Sequence, residues 1–389
     1  MKLLLICGQV WPQKNNNANL VWNLIPYLRQ MHEIQVLSIC SGTQSVEKAC
    51  SEIDGIRVWF SAAFSISKVK RLQHRITSAF QDRGDLGDAF KAKAIADCMR
   101  QIFKVFSYEA VLATIEPYAS AVALLQFTMQ TRSIIYLMDP TIYKSPASRR
   151  VRYRVYTLSA ILSSVHAVIT TPFIQNALRK HGYDRQCKRL YPVGFPLIER
   201  HESQKSSFDN GRIHLLFCGW LYSDIRSPKY FLDILSRLDE RFVVTFMGRE
   251  CENLTERFDV QTKAKLITLP QQPYETALQA MADADIMINI GNSVPVHMPS
   301  KTLEYINTGK PFVNFYKMDD CPTLYYSKRY PLCLNLSEQD PDIDAAARRF
   351  IEFCTKNKGK SVDRAFIESE YADCTPEYIA QKILDALGE

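Results

Sequence analysis

Continuous runs of apolar residues recur along the first half of the chain, separated by polar loops and helical patterns. Leu20, Leu24 and Leu28, for example, repeat at the spacing of one helix face. Unbroken apolar runs are typical of parallel strands covered on both faces, and their alternation with helices indicates a doubly wound α/β sheet. We predict five strands in this half, at residues 3–6, 34–39, 110–113, 134–137 and 165–170.

The same pattern begins again after a polar stretch at 199–210, which we interpret as a linker. We therefore predict a first domain at 1–198 and a second at 211–370. The tail, 371–389, contains an amphipathic helix that we expect to pack back toward the first domain. Two doubly wound domains in tandem place a cleft between the carboxyl ends of their sheets, where ligands bind. The strands predicted for the second domain lie at 213–217, 242–247, 265–269, 286–290 and 311–316.

Composition and cysteine usage fit a folded protein of the cell interior. Of the 389 residues, 47% are hydrophobic and 23% are charged, which excludes a disordered chain. No apolar run reaches the roughly 18–20 residues that span a bilayer. The 11 cysteines are scattered without metal-ligand spacing, so we expect reduced thiols, a cytoplasmic location and no metal.

Charge is segregated between the two halves. Residues 1–200 contain 26 Lys and Arg against 13 Asp and Glu, a net charge of +13, whereas residues 201–389 carry −6. Two basic and apolar stretches, 64–76 and 149–156, suit an anionic membrane surface or, equally, form solvated helix faces. A peripheral position on the inner membrane face is therefore one expectation. Since no recognised nucleic-acid module is present, we expect no nucleic-acid partner.

The segment 298–311 has the densest candidate chemistry. Pro299 and Ser300 favour the start of a helix, and Gly309 favours its end. The first N–H groups of such a helix would face the end of the strand at 286–290, where free N–H groups and the helix dipole bind a diphosphate.

Two charged residues follow inside this predicted helix. Lys301 adds positive charge for a phosphate, and Glu304, one turn further, can accept hydrogen bonds from the two hydroxyls of a ribose. The alternative is that Ser300 merely caps the helix and Glu304 is a solvated surface acid. The pattern of the surrounding segment favours the functional interpretation.

Three segments of the second domain resemble the donor site of glycosyltransferase family 4, and bacterial enzymes that build capsular and exopolysaccharide chains are the closest type. These segments are residues 282–286, 299–305 and 309–311. The resemblance covers nearly the whole chain. It implies the GT-B fold, in which two Rossmann-like doubly wound domains face each other across a cleft. The donor-binding residues that it implies include Gly219, Pro299, Ser300, Lys301, Thr302 and Glu304.

Two positions depart from the pattern of the family. Val296 stands where many members have a glutamate that contacts the donor sugar, and Trp220 replaces the usual arginine after the first strand of the second domain. Arg226 is then our first candidate for the catalytic diphosphate cation, because a guanidinium binds phosphate oxygens bidentately. Lys229 is the second candidate, and a solvated loop cation is the alternative role for Arg226.

The first domain offers four candidates for the acceptor side. Asn16 and Asn17 lie where the family has a glycine-rich turn, and asparagine tolerates a left-handed backbone. Asp139 ends a strand where family members have an acid near the transferred sugar, so we assign it a catalytic role. Glu116 ends the preceding strand and is a further acceptor-side candidate. Ordinary loop and turn roles are the alternatives for all four.

The resemblance implies a glycosyltransferase of the hexosyltransferase type. Such an enzyme moves a sugar from a UDP- or GDP-linked donor to a glycan or lipid-linked acceptor in cell-surface polysaccharide synthesis. Retention at the anomeric carbon, without a metal and without a cofactor beyond the donor substrate, is implied as well. Two alternatives stay open, a nucleotide-sugar epimerase of the same fold and an inactive GT-B partner subunit.

Overall fold

The structure is a computed structural model of the chain. The chain divides into two compact units, Met1–Pro196 with Asp373–Glu389, and Leu197–Ala372. Each unit contains one sheet. The residues that the structure describes are 1–10, 16–39, 50–61, 84–115, 118–127, 131–138, 149–194, 197, 211–221, 225–296 and 298–388.

The first unit is organised around an eight-stranded sheet. Its strands are β1 (Lys2–Cys7), β2 (Glu33–Ser38), β3 (Cys50–Ile53), β4 (Ile56–Phe60), β5 (Ala110–Thr114), β6 (Arg132–Leu137), β7 (Ala167–Thr170) and β8 (Leu190–Pro192). They lie in the order β3-β4-β2-β1-β5-β6-β7-β8. All neighbours are parallel except β3 and β4, which form an antiparallel hairpin. Asp54 and Gly55, with φ of 52° and 72°, make its two-residue turn.

Among the described residues, six helices lie between these strands along the chain, and a seventh, near the end of the chain, is described below. The six are α1 (Asn16–Trp22), α2 (Ile25–Leu28), α3 (Gly84–Val105), α4 (Tyr118–Leu124), α5 (Arg149–Ser164) and α6 (Pro172–Lys180). The spacing of Leu20, Leu24 and Leu28 predicted one helix, but the chain forms two. Pro26 lacks the N–H that would continue the hydrogen bonds of α1, so the helix stops and α2 begins beyond a turn.

The second unit contains a six-stranded, fully parallel sheet. Its strands are β9 (Ile213–Cys218), β10 (Phe242–Met247), β11 (Lys265–Leu269), β12 (Ile286–Ile290), β13 (Phe312–Tyr316) and β14 (Cys333–Ser337), in the order β11-β10-β9-β12-β13-β14. Among the described residues its helices are α7 (Lys229–Leu235), α8 (Leu254–Arg257), α9 (Tyr274–Asp283), α10 (Lys301–Asn307), α11 (Pro322–Ser327), α12 (Ile343–Asn357) and α13 (Arg364–Glu370).

The doubly wound α/β class predicted from the sequence is confirmed in both units. Every strand predicted from an apolar run is present, although β7 begins at Ala167, two residues later than predicted. The strands β3, β4, β8 and β14 were not predicted. Polar residues interrupt the apolar residues of β3, β4 and β14, and β8 has only three residues, so these four strands lack the long apolar runs used for the prediction.

The last helix, α14 (Pro376–Leu387), belongs to the first unit. It contacts α2, β6 and β7, and it buries Ile379, Ile383 and Leu387 on one face. The side chain of Thr375 caps the helix by accepting a hydrogen bond from Tyr378 N at 3.3 Å. Burial of this apolar face fixes the helix on the sheet.

Arg154, in the basic stretch 149–156, is buried rather than presented to a surface. Its Nε donates to Asp88 Oδ2 at 2.8 Å, and its guanidinium lies 4.9 Å from the centre of the Tyr118 ring. These contacts join α3, α4 and α5, so Arg154 contributes nothing to a membrane-facing surface. The other basic stretch, 64–76, lies outside the described residues. None of the described helices has the length and apolar character needed to cross a membrane.

His166 gives the first unit a testable pH dependence. Its Nδ1 accepts a hydrogen bond from Ser133 N at 3.1 Å, which requires an unprotonated nitrogen. Burial lowers the pKa of His166 below its ordinary value of 6.5, and Lys188 adds to the effect. A base with a lower pKa in the folded chain binds fewer protons there, so the free energy of unfolding falls as the pH drops below about 6.5.

We expect the substitution His166→Asn to flatten this decline, because an asparagine oxygen accepts a hydrogen bond and does not titrate. The midpoint of urea unfolding, measured between about pH 7 and pH 5 for both proteins, checks the expectation. An equally steep decline in the variant would contradict it.

Candidate active site

The residues that follow the carboxyl ends of the strands meet at one edge of the second sheet. The strand order reverses between β9 and β12, and a doubly wound sheet binds ligands at such a switch point. Gly219 follows β9, Gly248 follows β10, and Gly291 and Asn292 follow β12. We call this the switch-point edge and define it as residues 219–221, 225–227, 248–249 and 291–293.

Two glycines allow the loops after β9 and β10 to touch. Gly248 has a φ of +138°, and a Cβ at this position would lie 1.8 Å from the carbonyl oxygen of Gly219. Gly219 N donates to Met247 O at 2.9 Å, and Leu221 N donates to Arg249 O at 3.1 Å. Gly219, a predicted donor-binding residue, therefore lies in a backbone contact that fixes both loops.

Arg226 is 8% exposed and lies between the loops after β9 and β12. Its Nε donates to Asn292 Oδ1 at 2.9 Å, and its Nη1 donates to Trp220 O at 3.2 Å. The neighbouring Ile225 O accepts from Ser293 N at 2.9 Å. Because a guanidinium stays protonated in proteins, Arg226 is a permanent buried cation. Its burial excludes the alternative of a solvated loop cation.

Arg249 stacks on Trp220, the residue that stands where the resemblance would place an arginine. Its guanidinium carbon lies 4.1 Å from the centre of the indole ring, a cation–π distance. The Arg249 side chain is exposed, whereas Trp220 is half-buried. The sequence analysis did not single out Arg249. Its position directly after the strand end Met247-Gly248 is the signal that could have found it.

Tyr305 joins α10 to β9. Its hydroxyl donates to Cys218 O at 3.0 Å and accepts from Cys218 N at 2.9 Å. Burial raises the pKa of Tyr305 well above its ordinary value of 10, so the hydroxyl keeps its proton. Cys218 directly precedes Gly219, so this bond ties α10 to the switch-point edge.

A row of buried, hydrogen-bonded polar side chains, the polar ladder, connects α10 to β12, β13 and β14. Thr302 Oγ1 donates to Asn289 Oδ1 at 3.3 Å. Asn289 Nδ2 donates to Asn314 Oδ1 at 2.7 Å, and Asn314 Nδ2 donates to Asn335 Oδ1 at 2.8 Å. The three asparagines are register partners on β12, β13 and β14. Thr302 is fully buried in this ladder and supports the helix, and its predicted contact with the donor stays a prediction.

The helix α10 starts where Pro299 and Ser300 predict it, but without a side-chain cap. Ser300 occupies the N-cap position, but its side chain forms no capping hydrogen bond and its backbone is already helical, with φ −56° and ψ −31°. Thr302 N donates to Pro299 O, and Leu303 N donates to Ser300 O, both at 3.1 Å. This tight turn leaves the N–H groups of Ser300 and Lys301 as the two without an acceptor among the described residues.

Lys301 and Glu304 form an ion pair in the first turn of α10, with side chains 18% and 8% exposed. Burial acts to lower the pKa of Lys301, but the charge and hydrogen bond of Glu304, together with Cys218, raise the pKa above the ordinary value of 10.5. Lys301 is therefore charged at neutral pH. Glu304 is not the solvated surface acid of the alternative interpretation, and its Oε1 forms no hydrogen bond to a described residue.

Tyr274, at the start of α9, lies against this ion pair. Its ring centre is 5.7 Å from Lys301 Nζ. Its hydroxyl oxygen is buried and has no hydrogen-bond partner among the described residues. Burial first, and Glu304 second, raise the pKa of Tyr274, so the hydroxyl remains a donor. No local sequence pattern marks Tyr274, because it meets α10 only in the folded unit.

The other predicted site residues are more scattered. Lys229 begins α7 with an exposed side chain, and Val296 is buried. Asn16 and Asn17 begin α1 in the first unit, and their side chains are not described. Asp139 and Glu116 lie outside the described residues, so the acceptor-side residues stay predictions. Within the described part of the chain, no three His, Cys, Asp or Glu side chains are placed to hold a metal ion.

No protein-family profile matches the chain, and no curated protein matches its sequence. Solved structures match it over its whole length. A sucrose-phosphate synthase from Thermosynechococcus elongatus is 12% identical with a TM-score of 0.70, covering 100% of this chain and 98% of that one. An α,α-trehalose-phosphate synthase (UDP-forming) from Burkholderia vietnamiensis is 11% identical with a TM-score of 0.65, covering 100% of both chains.

The chain has the GT-B fold. A UDP-GlcNAc 2-epimerase from Neisseria meningitidis is also similar, with 13% identity, a TM-score of 0.58, and coverage of 100% of this chain and 99% of that one. At these identities the likeness establishes the fold and nothing finer, since transferases and an epimerase share it. None of these likenesses supports the capsular or exopolysaccharide subtype.

Proposed function

We propose that the protein is a glycosyltransferase that moves a hexosyl group from a UDP- or GDP-linked donor to an acceptor hydroxyl. The observation that carries the proposal is the buried Arg226, held at the switch-point edge by Asn292 and by Trp220 O. A Cβ on Gly219 would lie 3.7 Å from Arg226 Nη1, and Tyr305 of α10 binds the residue before Gly219. A fixed cation next to α10 suits a diphosphate.

The proposed chemistry is electrostatic. When the bond between the anomeric carbon and the diphosphate oxygen breaks, negative charge develops on the leaving diphosphate. Arg226 and the N–H groups of Ser300 and Lys301 stabilise that charge without reorganising, which is the main way such sites accelerate a reaction. Glu304 Oε1 accepts a hydrogen bond from a ribose hydroxyl. The resemblance to family 4 supports retention without a metal, and we assign no general base.

The finer parts of the proposal rest on the resemblance and on charge. They are a glycan or lipid-linked acceptor in cell-surface polysaccharide synthesis, a location inside the cell, and contact of the basic first half with an anionic membrane. The net charge of +13 in residues 1–200 supports the last of these. The acceptor-side residues Asn16, Asn17, Asp139 and Glu116 belong to the first unit and are part of the same proposal.

A nucleotide-sugar epimerase is the second candidate, and the likeness to the UDP-GlcNAc 2-epimerase over the whole chain favours it. The two reactions differ in what becomes of the nucleotide. Transfer releases a nucleoside diphosphate, whereas epimerisation returns the sugar to the same nucleotide.

We expect the protein to bind UDP or GDP with a dissociation constant in roughly the micromolar range, and to bind the nucleoside alone far more weakly. Isothermal titration with UDP, GDP, uridine and guanosine measures this. The control variant Arg241→Gln, which also removes one positive charge, is expected to bind as the wild type does. Arg241 is exposed and pairs with Asp239 at the amino end of β10, away from the switch-point edge.

Incubation with sugar-labelled donors then separates the candidates. Label in an acceptor together with free nucleoside diphosphate supports transfer, and an isomeric nucleotide sugar supports epimerisation. If neither nucleoside diphosphate binds, the enzyme proposal is wrong and the inactive partner subunit is the better interpretation.

A further inference from the structure

Two arginines contact the same residue at the switch-point edge. Arg226 Nη1 donates to the carbonyl oxygen of Trp220, and the guanidinium of Arg249 lies 4.1 Å from the centre of the Trp220 ring. Each approaches a different part of Trp220, one the backbone and the other the side chain. Two permanent positive charges therefore contact one residue, Trp220.

Acidic side chains in the described part of the chain do not neutralise Arg249. Glu250, the next residue, pairs with Arg257 at 3.6 Å instead. Among the described residues, Arg249 forms no ion pair and its side chain forms no hydrogen bond; its one polar contact is its carbonyl oxygen, which accepts from Leu221 N. Within the described part of the chain, no side chain occupies the guanidinium donors of Arg249.

The backbone holds Arg249 in place from both sides. Leu221 N donates to Arg249 O at 3.1 Å, so the loop that contains Trp220 is bonded to the residue that stacks on it. Gly248 packs on Gly219 so closely that no Cβ fits between them. A flexible arginine that is already stacked and anchored loses less conformational freedom when it binds, so more of its interaction energy appears as affinity.

We propose that Arg249, held on the ring of Trp220, is a second cationic ligand for the diphosphate of the donor, acting together with Arg226. This inference rests on the proposed function, because it assigns a residue to the same diphosphate site. Trp220 then acts as a positioning residue that fixes the orientation of the guanidinium by its indole face. The pair of arginines neutralises more of the diphosphate charge than Arg226 can alone.

The test compares nucleoside diphosphates with nucleosides. Whichever of UDP and GDP the wild-type protein binds is titrated into Arg249→Gln, Trp220→Leu and Trp220→Phe, together with the matching nucleoside. Arg249→Gln is expected to weaken diphosphate binding about tenfold or more, since a hydrogen bond between charged groups is lost. Its affinity for the nucleoside is expected to stay unchanged.

The Trp220 variants test the stacking itself. Trp220→Leu is expected to weaken diphosphate binding by a few-fold, because Arg249 remains but is no longer held. Trp220→Phe keeps an aromatic face and is expected to restore most of the affinity. Raising the salt concentration is expected to weaken binding less in Arg249→Gln than in the wild type, because one charge pair is missing.

The outcomes separate this inference from the proposed function. If the wild type binds a nucleoside diphosphate and Arg249→Gln binds it within about twofold, the role of Arg249 is wrong and the proposed function stands. The same holds if Arg249→Gln loses nucleoside and diphosphate binding equally, because the change is then structural. Failure of the wild type to bind either diphosphate overturns both. Arg241→Gln, an equal change of charge before β10, is expected to bind as the wild type does.

Discussion

Replacing Arg226 with leucine is expected to lower kcat for transfer from the nucleotide-sugar donor by about 10²–10³-fold, the usual cost of removing one preorganised group that stabilises charge in a transition state. The guanidinium is fixed before the ligand arrives, with Nε on Asn292 Oδ1 and Nη1 on Trp220 O. Leucine is similar in apolar bulk but has no charge and no donor. Release of nucleoside diphosphate over time, at several donor concentrations, measures kcat and KM separately.

The variant Arg226→Lys separates charge from geometry. Lysine keeps the positive charge, but it lacks the planar fork that contacts Asn292 and Trp220 at once, so we expect activity between those of the wild type and Arg226→Leu. Arg237→Leu is the matched control, because Arg237 is exposed and pairs with Asp344 beyond the end of α7. That control is expected to retain full activity.

A purely structural role for Arg226 predicts a different result. Its two hydrogen bonds join the loops after β9 and β12, so removing it also loosens the fold. The thermal unfolding midpoint of each variant measures that loosening. The proposed catalytic role is wrong if Arg226→Leu unfolds at a lower temperature but the kcat of its folded fraction stays within about threefold of the wild-type value. Arg226 would then serve only to connect the two loops.

The fold was predictable where burial is uniform. β1 and β5 lie inside the first sheet with a neighbouring strand on each side, and nearly all of their residues are buried, so each contains an unbroken apolar run. The edge strand β3 has no buried position and β14 has one, and polar residues interrupt the apolar residues of both, so apolar runs cannot reveal them. The Asp54-Gly55 turn was a readable local signal, since this pair favours the positive φ values that the hairpin requires.

The candidate site was predictable only where one segment contains it. The helix at 301–307 follows from Pro299, Ser300 and Gly309, which are close in sequence. The hydrogen bond between Asn289 and Asn314 could not be predicted from the sequence. Asparagine disfavours strands, and these two side chains meet only when β12 and β13 pair.

The contact between Trp220 and Arg249 could not be predicted from the sequence for the same reason. Trp220 and Arg249 are far apart in sequence and become neighbours because β9 and β10 are adjacent in the sheet and both end at the switch-point edge. Contacts that depend on strand order carry no local sequence pattern. The absence of a side-chain cap at Ser300 has a different cause, because the backbone of Ser300 is already helical, whereas a capping residue has extended dihedral angles.

Lys301→Met is expected to lower the free energy of unfolding by about 3 kcal/mol, because it leaves the Glu304 carboxylate buried without its cation. Lys301→Met combined with Glu304→Gln is expected to recover most of that loss, since no uncompensated charge remains. Urea unfolding of the wild type, both single variants and the double variant gives the coupling free energy of the pair. A double variant as unstable as Lys301→Met would contradict this account.

Stability alone does not decide whether Glu304 also binds the donor, because a carboxylate can stabilise a helix without meeting a ligand. The deciding measurement is the preference for UDP or GDP over the corresponding 2′-deoxy nucleotide. If Glu304 Oε1 accepts from the ribose, the wild type is expected to prefer the ribonucleotide by about tenfold, and Glu304→Gln is expected to lose most of that preference, because an amide oxygen is a weaker acceptor than a carboxylate. Glu304 has a structural role alone if the preference is the same in both proteins. The diphosphate would then depend on Arg226 and the amides of α10 without help from the ribose.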